Sequence, residues 1–473
     1  MTFILLMSAS VFGIAVLAAL ARFDAMDVPG RALHPYNVLG FLFAIIDIDF
    51  LSLYSLIATG QSTYFAETMI ANLAQVKDGF VFFVLCQTFL IAGIAAVPSL
   101  GRKTAGTMTP REVRLSEVRA SRICMALCIL VTMLGAWNLI LVSLQHGSFT
   151  YIAGVRQRFF AANPLLLIVV STIAPAYILF GSRNTLRSAF LAMIPLIPFL
   201  MLVGGRSKLL YPLIALAYWV CQRIRIPAIV IYIGAPVLLA SLTLFTFISR
   251  ENGSVAEFPK YLEQSGGITG PLFDGASISM AEIISINIAR PVLDRQPWES
   301  ILGGIMLPIP RSIVPMKPLG ASTEFSMTID LDRWELVKSE WTITGFINLF
   351  YDYGYIGALI ACFVIAVIWT LALKQAFQSR LGTTLVGPIC CLVAYQFIRG
   401  DLYIVSQFLW PLLFVLLIYW TVLAAVKLIP PPRRRQVRPR AGIAGDAVAG
   451  GAVADGVAGA VADGGAPGTA ESR

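Results

Sequence analysis

The sequence predicts an all-α, polytopic integral membrane protein of about eleven transmembrane helices with one large extracytoplasmic loop. Three observations carry this reading. Of 473 residues only 13% are charged and 58% are hydrophobic, where a soluble globular domain carries about 25% charged residues. Mean hydropathy is +0.79. The apolar residues also gather into runs of about 20, the number needed at 1.5 Å per residue to cross a hydrocarbon core of about 30 Å. So few charges could not coat a soluble particle, and lipid has to be part of the solvent.

The runs fall near 3–21, 38–58, 79–97, 122–143, 164–180, 186–203, 207–221, 226–248, 353–373, 384–399 and 403–427. The first opens on Met1-Thr2-Phe3-Ile4-Leu5-Leu6, with no basic residue ahead of it and Arg22 behind it. That order is expected of a retained helix rather than a cleaved signal. The sixth and seventh runs are parted only by Gly204-Gly205-Arg206-Ser207-Lys208, so a broken or re-entrant helix would read the same way there.

Basic residues in short loops set the orientation. Arg102, Lys103, Arg111, Arg114 and Arg119 follow the third run, and Lys427, Arg433, Arg434, Arg435, Arg438 and Arg440 follow the last. Placing both groups inside puts the N-terminus outside and the C-terminus in the cytoplasm. Arg22, Arg31, Arg183, Arg187, Arg223, Arg225, Lys374 and Arg380 then fall inside as well.

Four parts follow: an N-terminal transmembrane bundle (1–248), the large extracytoplasmic loop (249–340), C-terminal transmembrane helices (341–427) and a cytoplasmic tail (428–473). The loop contains amphipathic stretches such as Ala276–Ala289, and loops this long are usually functional. The tail is basic and then rich in Ala and Gly, too poor in large side chains to offset chain entropy, so disorder is expected. The chain shows no internal repeat of the kind that marks secondary transporters. The net charge of +9 sits in short segments between apolar runs, as a topology signal and not a nucleic-acid footprint. Cys86, Cys124, Cys128, Cys221, Cys362, Cys390 and Cys391 lie in or beside apolar runs without zinc-type spacing. They read as buried small hydrophobes, and neither metal nor cofactor is expected.

With this topology four arginines reach the outer side, against the usual inside bias. They are Arg206, Arg250, Arg311 in Pro308-Ile309-Pro310-Arg311-Ser312, and Arg399 in Arg399-Gly400-Asp401. A guanidinium is a rigid, always-charged fork that pairs bidentately with phosphate oxygens. One outer arginine can as well snorkel to a headgroup or pair with a loop acid, but the four together suit a lipid diphosphate. Glu324, Asp330, Asp332, Glu335 and Glu340 are candidates for the base of a glycosyl transfer, each otherwise a solvated acid. The only histidines are His34, expected inside, and His146 at the outer end of the fourth run, a base or an interfacial residue. Asp47 and Asp49 lie within the second run, roughly 200° apart on a helix and so not a carboxylate dyad. They are expected to pair with a basic neighbour in the bundle, a proton or cation path being the other reading.

Three motifs resemble the Wzy-type O-antigen and oligosaccharide-repeat-unit polymerases of bacteria. Gly204-Gly205-Arg206-Ser207-Lys208-Leu209-Leu210 is similar to that family's Gly-x-Arg-Ser turn. Pro308-Ile309-Pro310-Arg311-Ser312-Ile313-Val314-Pro315-Met316-Lys317-Pro318 lies in the large loop. Gly345-Phe346-Ile347-Asn348-Leu349-Phe350-Tyr351-Asp352-Tyr353-Gly354-Tyr355-Ile356-Gly357 resembles the Gly-rich segment leading into the helix after that loop. The resemblance implies a multi-pass enzyme of the bacterial inner membrane. Its substrates would be undecaprenyl-diphosphate-linked oligosaccharides at the outer leaflet, the growing glycan leaving its carrier for a new lipid-linked repeat unit. It further implies Arg206, Arg250, Arg311 and Arg399 as diphosphate ligands that stabilise the leaving charge. Lys208, Lys317 and Asp352 are substrate contacts within or beside the same motifs. No metal or cofactor is implied; the partners are the lipid bilayer and a chain-length regulator, with no nucleic acid. An O-antigen ligase differs only in its acceptor, whereas a flippase would show repeated halves and a charged cavity spread over many helices.

Overall fold

A computed structural model describes residues 2–24, 34–60, 72–97, 119–120, 280–309, 312–329, 331–332, 334, 343–377 and 380–428, with scattered positions from 123 to 141 and at 217 and 234. The described residues are all-helical. Four of the helices are long and apolar enough to cross a membrane: Thr2–Arg22, Pro35–Ala58, Leu73–Ala96 and Gly345–Lys374. Apart from single positions 217 and 234, the spans expected at 164–180, 186–203, 207–221 and 226–248 lie outside the described residues, as do the Gly204–Leu210 turn and the tail after 428. Of the span at 122–143 only scattered positions are described.

The first three helices are α1 (Thr2–Asp24), α2 (Pro35–Ala58) and α3 (Leu73–Ala96). In α1 the inward face is Phe3, Ser10, Leu17 and Ala21, all buried, while Ile4 and Phe12 are exposed as lipid-facing side chains would be. Helix α2 starts at Pro35, whose fixed φ suits a first helical position. His34 caps it, its Nδ1 accepting the Tyr36 amide at 3.3 Å. Burial pushes the His34 imidazole down to about 3, with the Lys374 ammonium adding to the effect, so the ring is neutral. Helix α3 starts where Asn72 Oδ1 accepts the amides of Ala74 and Gln75, earlier than its hydropathy suggests.

Helix α3 is the hub. Glycines notch it on two sides. A Cβ at Gly79 would stand 2.7 Å from Ser285 Cα, and one at Gly93 would stand 2.5 Å from the Phe363 carbonyl oxygen. In a membrane, where burial of apolar surface drives little association, such close backbone approach is a main source of cohesion. Phe43, Phe50, Phe80, Phe83 and Phe346 pack ring to ring around it.

The segment from 280 onward folds back onto this bundle. Helix α4 (Met280–Ala289) packs on α3 and α2, and Met280 through Asn287 are all buried. The stretch expected to be amphipathic is therefore enclosed over most of its circumference. Asp49 Oδ2 accepts the Ala281 amide at 2.9 Å, so this intramembrane acid serves the start of α4, where the helix dipole favours a negative charge. Asp47 accepts the Ser10 hydroxyl at 2.8 Å. That hydroxyl also lies 2.7 Å from Gln87 Oε1, and the Gln87 amide donates back to the Ser10 carbonyl. Among the described residues the partner of Asp47 is thus the Ser10 hydroxyl, where a basic neighbour was expected.

Helix α5 (Glu299–Ile305) and α6 (Ala321–Ile329) follow, and then α7 (Gly345–Phe377), α8 (Arg380–Arg399) and α9 (Leu402–Leu428). Helix α7 begins earlier than the expected 353 because Gly345–Tyr353 forms a helical piece of its own, set off by Gly354 at φ 71°, ψ −176°. Only glycine adopts that region readily. Phe82 meets Phe350 and Tyr355, and Gly93 meets Phe363 and Ala366, so α3 and α7 run parallel. Their far ends are tied where the Lys374 ammonium donates to the Val97 carbonyl at 2.8 Å. Parallel helices mean the chain leaves α3 at one end of the bundle and begins α7 at the other. An odd number of intervening crossings meets that condition.

Candidate functional site

At the end of the bundle where α7 begins, the described loop segments converge on Arg295. The route to it is built by Tyr351, on the first piece of α7. Its hydroxyl donates to Asn287 Oδ1 at the end of α4 and accepts the Val292 amide at 3.2 Å. Residues 291–296, which belong to no helix, are thereby tied to α7 at Val292, and the Arg295 side chain is 1% exposed.

Three carboxylates surround it. Arg295 Nε lies 3.3 Å from Asp352 Oδ1, whose side chain is fully buried, and 3.7 Å from Glu299 Oε2. Nη1 donates to Glu324 Oε2, and Nη2 reaches the Ser300 hydroxyl and the Leu319 carbonyl, each at 3.4 Å. Glu299 and Glu324 are each nearly one-third exposed. Burial raises the Glu324 carboxyl above its usual value; Arg295 opposes the rise, and Glu299 and Asp352 add to it. Among the described residues one cation faces three acids there, an excess of carboxylate that suits protons and hydrogen-bond donors.

The surrounding frame is polar and fully engaged. Asn348 donates to Ser300 Oγ and accepts the Leu402 amide at 2.8 Å, tying α5, α7 and α9. Asp401, in the turn between α8 and α9, accepts the Ser322 amide at 2.8 Å in the first turn of α6. This fixes the helix that bears Glu324, again with an acid at a helix N-terminus. Ser322 Oγ in turn accepts the Ile343 amide at 3.2 Å, just before α7.

Below this centre lies a cavity of about 410 Å³ between α2, α3, α5, α7, α8 and α9. Its lining is almost wholly apolar, including Leu90, Ile365, Trp369, Phe397 and Leu409. Ser300 belongs both to this lining and to the Arg295 centre. The cavity follows α9 from Leu402 to Leu413, a descent of about 16 Å at 1.5 Å per residue. That is roughly half the hydrocarbon thickness.

Of the residues expected at the site, Arg206, Lys208, Arg250 and Arg311 lie outside the described residues, as do Asp330, Glu335, Glu340 and His146. Arg399 ends α8, its Nη1 donating to the Tyr395 hydroxyl at 2.6 Å across one helical turn. Lys317 is buried, with its ammonium on the carbonyls of Leu307 and Ile309 at 2.9 and 3.3 Å and over the Tyr403 ring. It shapes the turn that leads to Arg311. Asp352 joins the Arg295 centre, and Asp332 is exposed. Arg295, Glu299, Ser300 and Asn348 were not singled out from the sequence as site residues; Arg295 and Glu299 stand at an ordinary i,i+4 spacing, and the contacts that make the site, to Glu324, Asp352 and Asn348, are tens of residues apart. Among the described residues no group of three His, Cys, Asp or Glu side chains could hold a metal ion. Compared with known protein families, characterised proteins and solved structures, the chain matches none.

Proposed function

We propose that this protein is a lipid-linked glycan polymerase. In this reading it transfers a growing oligosaccharide from undecaprenyl diphosphate to a second lipid-linked repeat unit, at the outer face of a bacterial inner membrane. The observation that carries the proposal is the apolar cavity that shares Ser300 with the Arg295 centre. A substrate suited to both has a long hydrocarbon chain and a head rich in hydroxyl groups. A lipid-linked sugar has that form, while a soluble sugar or an ordinary hydrophobic ligand has only half of it. The residue motifs that resemble the polymerase family point the same way. The diphosphate falls to Arg206, Arg250, Arg311 and Arg399, since Arg295 is already committed to carboxylates. Lys317 and Asp352 then support the site through the loop and Arg295.

Cavity-filling variants test this. In a host deleted for the gene, the wild type, Leu409→Trp, Val393→Trp and, as a control away from the cavity, Ile368→Trp are each reintroduced. Lipid-linked and surface glycans are then separated on gels. The proposal expects the two cavity variants to lose the polymer ladder while single repeat units still reach the surface, with Ile368→Trp behaving as wild type. Lipid-linked units retained on the cytoplasmic side would instead identify a flippase. Long polymer left on its carrier would identify a ligase.

A further inference from the structure

The sequence left the proton acceptor open among five loop acids and His146. Resting on the polymerase reading, we infer that Glu324 is the carboxylate that takes the proton from the attacking sugar hydroxyl, with Arg295 as its positioning residue.

The choice follows from exposure and constraint together. A base has to reach the substrate and has to be held still. Of the three carboxylates on Arg295, Asp352 is fully buried and cannot meet a sugar. Glu299 is accessible but stands 3.7 Å from the guanidinium, in the looser contact. Glu324 is accessible, hydrogen-bonded through Oε2 to Nη1, and seated in the first turn of a helix that Asp401 anchors. Its other oxygen, Oε1, is the one available to a proton. Arg295 itself has no freedom to do anything else: it is buried, with contacts to Asp352, Glu299, Glu324, Ser300 and Leu319.

The charged groups facing Glu324 are Arg295 and Glu299 from the α4–α6 segment and Asp352 from α7. Partial burial raises the affinity of Glu324 for a proton; Arg295 opposes the rise, and the two carboxylates Glu299 and Asp352 add to it. That tuning brings a carboxylate nearer the pH at which it must work as a base.

The step balances simply. The acceptor hydroxyl gives its proton to Glu324 Oε1, and its oxygen forms the new bond to the anomeric carbon of the donor sugar. The bond from that carbon to the diphosphate oxygen breaks, and the electron pair leaves on the lipid diphosphate. Glu324 then gives the proton to water and is ready again. Arg295 stays protonated throughout.

The test uses the full-length protein in the deletion host and purified in detergent. Glu324→Gln, Glu324→Asp and Asp332→Asn are compared for polymer formation, and for thermal stabilisation by added undecaprenyl diphosphate. The inference expects Glu324→Gln to fold, to be stabilised by undecaprenyl diphosphate as the wild type is, and to make at least about 100-fold less polymer. Glu324→Asp is expected to keep a measurable fraction, and Asp332→Asn, at an exposed acid outside the Arg295 centre, the full ladder. A full ladder from Glu324→Gln overturns the assignment. So does a Glu324→Gln protein that folds but no longer responds to undecaprenyl diphosphate, since Glu324 would then be a binding group. If deleting the gene leaves all glycans unchanged, the polymerase reading itself fails, and this assignment fails with it.

Discussion

Replacing Arg295 with Met removes the cation from a centre where Asp352 has no access to water. The two side chains are 1% and 0% exposed and stand 3.3 Å apart, so screening by solvent gives Asp352 no relief. Breaking a buried pair by deleting one partner costs about 3–5 kcal/mol, because the remaining charge is stranded. Glu299 and Glu324 can turn toward solvent, and their pairings add little to this figure. At 1.4 kcal/mol per decade the folded-to-unfolded ratio should fall roughly 150- to 4,000-fold. Adding Asp352→Asn removes the stranded charge and should return about 2 kcal/mol, a coupling typical of contacting partners. Denaturant unfolding in detergent micelles, followed by tryptophan fluorescence, measures both. The reasoning is refuted if Arg295→Met lies within about 1 kcal/mol of wild type. It is equally refuted if the double variant is no more stable than the single one.

Three further outcomes follow from the bundle. His34 is neutral in the fold, its proton affinity lowered from 6.5 to about 3 chiefly by burial, so the unfolded chain takes up the proton first. Stability should be whole above pH 6.5 and fall by about 1.4 kcal/mol per pH unit below it, with His34→Gln flattening that slope in acid unfolding curves. Gly93→Leu forces a side chain against the Phe363 carbonyl and Ala366. It should cost about 1–3 kcal/mol or more, read as a lower unfolding temperature in detergent. Asp49→Val leaves the Ala281 amide without the carboxylate oxygen it uses. A loss of about 1–3 kcal/mol is expected, together with faster proteolysis near α4.

The apolar runs made α1, α2, α3, α7, α8 and α9 legible, because lipid demands long uninterrupted helices and hydropathy reads them directly. The start of α7 was not legible. Gly354 ends one helical phase and begins another, and the Gly345–Tyr353 piece carries Asn348 and Asp352, whose polarity hides it from a hydropathy reading. Helix α4 was read as amphipathic loop because its polar residues, Glu282, Ser285 and Asn287, are ordinary surface residues by type. In the fold they are buried, Ser285 and Asn287 bonding back to their own helix. Asp352 was named as a site residue through its motif, but not its partner. Arg295 meets Glu324 across 29 positions and Asp352 across 57, and no periodicity in a single chain encodes such meetings.

The tie between Lys374 and Val97 spans 277 positions, and it sets a delay. A ribosome adding about 5–20 residues per second needs roughly 14–55 s to supply the second partner after the first. Within that interval the notch at Gly79 stays open until Ser285 has been made, and the notch at Gly93 until Phe363 and Ala366 have been made. The newborn chain is then exposed to whatever small-residue surfaces other unfinished membrane proteins present. Slowing translation between codons 97 and 345 should lower the yield of closed protein without changing a single contact in the finished molecule.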